Sequence, residues 1–77
     1  MRIDTRDSSS IVQLLQNLKE AESMLIGETP DGDTAIANQL DNELEKLKIE
    51  VIDDKDNVTN YFFNEHGTLL NVVHGEI

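Results

Sequence analysis

Apolar residues recur at two different periods along this chain, and the change between them sets the expected architecture. Ile11, Leu14, Leu15, Leu18, Ala21 and Leu25 are spaced by three and four, the stripe of an amphipathic helix. Asp7, Ser8, Ser9 and Ser10 precede the stripe, and each offers an oxygen to the unpaired N–H groups of a helix start. Gly27 and the turn formers Glu28-Thr29-Pro30-Asp31-Gly32-Asp33 follow, so the spacing predicts a helix over 8–26. Ile36, Ala37, Leu40, Leu44 and Leu47 then repeat the helical spacing, with Asn38, Asp41, Asn42, Glu45 and Lys48 on the opposite side and Asp33 or Thr34 as cap. A second helix is expected over 34–47. Joined by a short polar turn, two such helices pack as an antiparallel hairpin.

Beyond Leu47 the period shortens. Lys48-Ile49-Glu50-Val51-Ile52 is β-branched, Asp54-Lys55-Asp56-Asn57 is a turn, and Val58 to Phe63 is rich in strand formers. Asn64-Glu65-His66-Gly67 places Gly where a type I turn with a bulge needs positive φ, and Thr68 to Val73 returns as a strand. The expected fold class is α+β: a two-helix antiparallel hairpin followed by a small antiparallel β-meander of two or three strands over 48–74, residues 1–7 forming a flexible N-terminus.

The turn at Gly67 sets Phe63 opposite Leu69, Phe62 opposite Leu70 and Tyr61 opposite Asn71. A left-handed Asn57 sets Ile49 opposite Phe63 and Val51 opposite Tyr61. One side of the sheet then carries Ile49, Val51, Tyr61, Phe63, Leu69 and Val73. The other carries Glu50, Ile52, Val58, Asn60, Phe62, Leu70, Val72 and His74. If the helices cover the first side, Phe62, Leu70, Val72, Val58 and Ile52 remain as an exposed patch of the kind that marks interfaces. The alternatives are helices divided between both faces, or a first strand that is really the end of the second helix.

Length sharpens this expectation. A chain of 77 residues has room for one core and buries only roughly 60–65% of its unfolded surface. Cys is absent, which removes disulfides and thiolate chemistry and leaves self-association or a partner as added support. The polar start Met-Arg-Ile-Asp-Thr-Arg-Asp leads into no apolar stretch, so a cytoplasmic protein with no membrane partner is expected.

Charge changes the picture most. The formal net charge is −10, from 16 acids against 6 bases. Between Lys19 and Lys46 stand Glu20, Glu22, Glu28, Asp31, Asp33, Asp41, Glu43 and Glu45 with no basic residue among them. Such a field repels DNA, RNA and anionic membranes and attracts basic proteins. A solvated helix face explains an acidic run of this kind. The sharper reading is a negative ridge along the second helix that resembles a nucleic-acid backbone and occupies the positive groove of a larger protein.

Candidate chemistry is sparse. His66 at a turn and His74 at a strand end have no second His or Cys at ligand spacing. Asp31-Gly32-Asp33 opens like a calcium loop, but Ala35 and Asn42 stand where ligands are required. Asp53, Asp54 and Asp56 around Lys55 read as a solvated turn. Ser8 to Ser10 have no paired base or nucleophile elbow, no Gly-rich loop precedes a helix, and Asn57-Val58-Thr59 is a glycosylation acceptor only in a secreted chain. No catalytic residue, metal or cofactor is expected, and the chain reads as non-enzymatic.

In size, acidity and lack of catalytic machinery the chain resembles the small antagonists carried by bacteriophages and mobile elements, a resemblance of type that covers no motif. The expected function is to bind and mask a basic surface of a larger protein, such as a nucleic-acid-handling or defence factor. Glu28, Asp31, Asp33, Asp41, Glu43 and Glu45 would set approach and orientation, and Phe62, Leu70 and Val72 would anchor. The alternative is an assembly subunit that forms a homodimer through the open sheet face. A small ligand held between protomers is a third reading.

Overall fold

The computed structural model describes residues 1–20 and 24–75, and it replaces the expected two-helix hairpin with one helix and a larger sheet. Helix α1 spans Ser8–Glu20, and five strands follow: β1 Met24–Glu28, β2 Thr34–Gln39, β3 Leu47–Ile52, β4 Val58–Phe63 and β5 Leu69–His74. They form one antiparallel sheet in chain order, β1-β2-β3-β4-β5. The helix expected over 8–26 thus begins where predicted, but Leu25 and Ile26 belong to β1, and Ala21 lies outside the described residues. The helix expected over 34–47 is absent, its residues forming β2, a loop and the start of β3. Ile36, Ala37, Leu40, Leu44 and Leu47 fit a helical stripe, yet Ala35 and Ala37 are completely buried while Ile36 between them is not, which is strand alternation.

Three hairpins share one turn. In each, two backbone bonds close a three-residue loop whose last residue is left-handed: Gly32 (φ 90°), Asp56 (φ 63°) and Gly67 (φ 79°). A side-chain oxygen of the residue before the loop accepts from the N–H four positions on, Thr29 from Asp33 at 3.1 Å, Asp53 from Asn57 at 2.9 Å and Asn64 from Thr68 at 3.0 Å. Pro30 adds a fixed φ at the first loop position, which makes Thr29-Pro30-Asp31-Gly32 a hairpin signal rather than a helix connection. The left-handed residue of the middle turn is Asp56, not Asn57.

The register departs from expectation at two places. Leu47 faces Phe63 and Ile49 faces Tyr61, a shift of two residues that preserves the faces. Phe63 faces Leu69 as expected, but a bulge leaves Leu70 unpaired, so Phe62 faces Asn71 and Tyr61 faces Val72. One added residue exchanges the faces of everything beyond it: Val72 and His74 move to the helix side and Val73 to the other.

Helix α1 is capped by Asp7, whose carboxylate accepts from the Ser9 and Ser10 N–H groups at 3.1 and 3.5 Å and from the Ser10 hydroxyl at 3.0 Å. Its stripe of Ile11, Leu14, Leu15 and Leu18 is buried against Ala35, Ala37, Leu47, Ile49 and Phe63, with Ile3 completing the core. Small side chains at Ala35 and Ala37 let α1 approach the β2 backbone more closely than that of any other strand. Residues 1–7 are not a loose end. The Ile3 N–H donates to the Glu28 carbonyl and the Glu28 N–H to the Met1 carbonyl, both at 2.8 Å, a short parallel pairing beside β1. A Cβ at Gly27 would collide with the Met1 carbonyl and press on Ile3, so only glycine admits this approach.

Candidate functional site

One helix covers one face of the sheet. The other face carries, by register, Met24, Ile26 and Glu28 on β1, then Thr34, Ile36 and Asn38, then Lys48, Glu50 and Ile52. Val58, Asn60 and Phe62 of β4 and Asn71 and Val73 of β5 continue it. Among the described residues no helix or strand lies over this face. Met24 is 47%, Ile26 62% and Leu70 44% exposed, while Ile36, Ile52, Val58, Phe62 and Val73 are shielded in part by their neighbours. Asn60 alone is buried here, its carboxamide donating to the Gly75 carbonyl at 2.8 Å where the chain folds across the end of β4.

Charge is nearly absent from the strands. The uncovered face holds Glu28, Glu50 and Lys48, and the strand positions on the helix side hold no acid. The carboxylates instead gather at the two ends of the sheet. Asp31 and Asp33 in the β1–β2 turn stand at the same end as Asp53, Asp54 and Asp56 of the β3–β4 turn. Asp41, Glu43 and Glu45 lie in the β2–β3 loop at the other end with Glu65 of the β4–β5 turn. The six residues of β2 separate the two sets by about 20 Å. The ridge along a second helix goes with that helix; two acidic ends flanking an apolar face take its place.

The expected site residues therefore divide. Phe62 and Leu70 belong to the uncovered face, Glu43 and Glu45 border it at the loop end, and Glu28 borders it on the first strand. Val72 is on the helix side through the bulge, 36% exposed beyond the reach of α1. Asp31 and Asp33 line a separate hollow of about 250 Å³ on the helix side with Asp4, Arg6, Val51 and Tyr61. Met24, Ile26 and Leu44 lie outside the expected site, because helical spacing assigns the first two to a helix and the third to a buried stripe. The signal for β1 was available in Met24-Leu25-Ile26-Gly27-Glu28 followed by Thr29-Pro30-Asp31-Gly32.

Both sheet edges are blunted. Met1 to Ile3 occupy part of the β1 edge, and at β5 the Leu70 bulge and the Asn71 side chain, which accepts from the Val72 N–H at 3.0 Å, interrupt the free backbone row. Neither edge therefore offers a full row of free backbone groups for strand addition.

The titratable groups add little chemistry. Asp53 is held below the usual carboxylate range by bonds from the Asn57 side chain and N–H and the Lys55 N–H, which fix the turn. His66 pairs with neighbouring Glu65 at 3.6 Å, and His74 approaches the Thr59 hydroxyl at 3.5 Å. Among the described residues no cluster of His, Asp or Glu has the arrangement of a metal site, and no helix is long and apolar enough to cross a membrane. Compared with protein-family models, curated proteins and solved structures, the chain matches none.

Proposed function

We propose that the protein is a non-enzymatic binding module that docks its uncovered sheet face on a larger protein with a basic surface and thereby masks that surface. The observation that supports this reading is an uncovered face that exposes Met24, Ile26 at 62% and Leu70 at 44% among polar neighbours, with acidic groups at both of its ends. Apolar anchors on the outer strands supply residence time, and the acids at the two ends of the sheet supply steering and orientation, with Lys48 and Glu50 between them on the central strand. A chain of net charge −10 disfavours a second copy in the same place, because acidic rims would meet acidic rims.

Homodimerisation is the second reading, and one feature favours it. Lys48 and Glu50 sit two residues apart on the central strand of the uncovered face, where a two-fold contact pairs Lys48 of each copy with Glu50 of the other.

The deciding experiment uses the chain as bait in its native host beside folded Ile26→Asp and Leu70→Asp variants, with the mass of the purified protein measured in parallel. The expected result is a monomer that retains a basic partner, lost with either variant, whose association rate falls steeply with salt. A stable dimer dissociated by Ile26→Asp replaces masking with assembly. A partner retained equally by the variants overturns docking through this face.

A further inference from the structure

Leu44 is 74% exposed, more than any other large apolar side chain described, and it stands between Glu43 and Glu45. It is held there. The Asn42 Oδ1 accepts from the Leu44 and Glu45 N–H groups at 3.2 and 2.6 Å, and the Lys46 ammonium donates to the Asn42 carbonyl. The Leu40 N–H closes the loop on the Lys46 carbonyl at 2.9 Å. Across from it, the bulge in β5 brings Leu70 and Asn71 to one side of the strand, a common use of bulges. Between loop and strand lies a groove of about 390 Å³, lined by Asn42, Glu43, Leu44, Glu45, Leu70 and Asn71.

We infer that this groove receives one large apolar side chain flanked by Lys or Arg on the docking partner, so that the site reads an apolar anchor joined to a cation rather than positive charge alone. The inference rests on the docking reading above. Leu44 and Leu70 provide apolar walls that take such a side chain out of water. Glu43 and Glu45 stand at the rim, where a cation beside the anchor meets them while its head remains hydrated. The loop itself presents Leu44 between two glutamates, so a second copy would offer the wrong sign at the same spacing.

Benzamidine is a compact probe of that chemistry, since it joins an apolar ring to an amidinium, and benzamide is its neutral isostere. Methyl spectra of the whole chain at low ionic strength are expected to show benzamidine shifting Leu44 and Leu70. Its affinity should exceed that of benzamide by roughly fivefold, and the difference should vanish in a Glu43→Gln, Glu45→Gln double variant. Equal affinity of the two compounds overturns the inference. So do shifts centred on Val51 and Leu69 in the helix-side hollow. Ile26→Asp lies outside the groove and separates the two levels: if that variant loses the partner while benzamidine ignores the groove, only the groove inference fails. If benzamidine binds as expected while Ile26→Asp keeps the partner, the groove stands and docking through the wider face fails.

Discussion

The two faces of the sheet are made from alternate residues of the same strands, yet they stand in different relations to water. On the covered face Ala35, Ala37, Leu47, Ile49 and Phe63 are all at or below 1% exposure, closed over by four α1 side chains and Ile3. Across the pleat Ile26 is 62% exposed, and Ile36, Ile52, Val58, Phe62 and Val73 are only partly buried. Strand propensity accounts for β-branched and aromatic residues on both faces. It does not account for leaving Met24, Ile26 and Leu70 to solvent while most carboxylates gather in the turns and loops. Solubility alone favours more charge on that face than Glu28, Lys48 and Glu50 supply. The contrast teaches that burial is concentrated on one side of the pleat and apolar exposure on the other.

Adjacent phenylalanines give the strongest way to break that contrast. Phe63→Ala on the covered face is expected to cost about 3–5 kcal/mol, and Phe62→Ala on the uncovered face about 1 kcal/mol, read from urea midpoints at matched slope. Equal losses would mean that both faces belong to the stabilising core. A smaller effect tests the helix that makes the difference. Asp7→Ala removes the cap of α1 and should cost about 1 kcal/mol, with faster amide exchange in α1 and unchanged exchange in β3 and β4. Uniform acceleration would show that the helix and sheet open together.

The smallest effect belongs to the β3–β4 turn shared by both faces. Because bonds from Asn57 and Lys55 lower the pKa of Asp53, its contribution is present above the unfolded carboxylate pKa and disappears as pH falls through the lower folded value. Thermal midpoints of wild type and Asp53→Asn should converge on acidification across that window. A gap that does not change with pH would assign the effect to turn geometry instead of charge.

How much of this was legible depended on whether one period had a competitor. Ile11, Leu14, Leu15 and Leu18 had none, and that half of the first helix reads correctly, as does the hairpin at Asn64-Gly67 with Phe63 opposite Leu69. Ile36, Ala37, Leu40, Leu44 and Leu47 satisfy helical spacing by coincidence. The alanines that look like helix formers are small because a helix lies over them, a tertiary cause that local propensity does not contain. Pro30-Asp31-Gly32 carried the correcting information, since the same turn geometry recurs at Asp56 and Gly67. The uncovered face was anticipated through Phe62 and Leu70. Val72 departs from expectation through a bulge that no residue type announces, Ile26 becomes visible only because the first helix ends at Glu20, and Leu44 only with the second helix gone.

Strand order equal to chain order has a further consequence during synthesis. Each strand finds its neighbour across a short loop, so hairpins close quickly and at little entropic cost as they leave the ribosome. The helix emerges first but has nothing to lie on until β2, β3 and β4 have followed it. A newborn chain therefore displays the Ile11, Leu14, Leu15 and Leu18 stripe until the strands that bury it have been made.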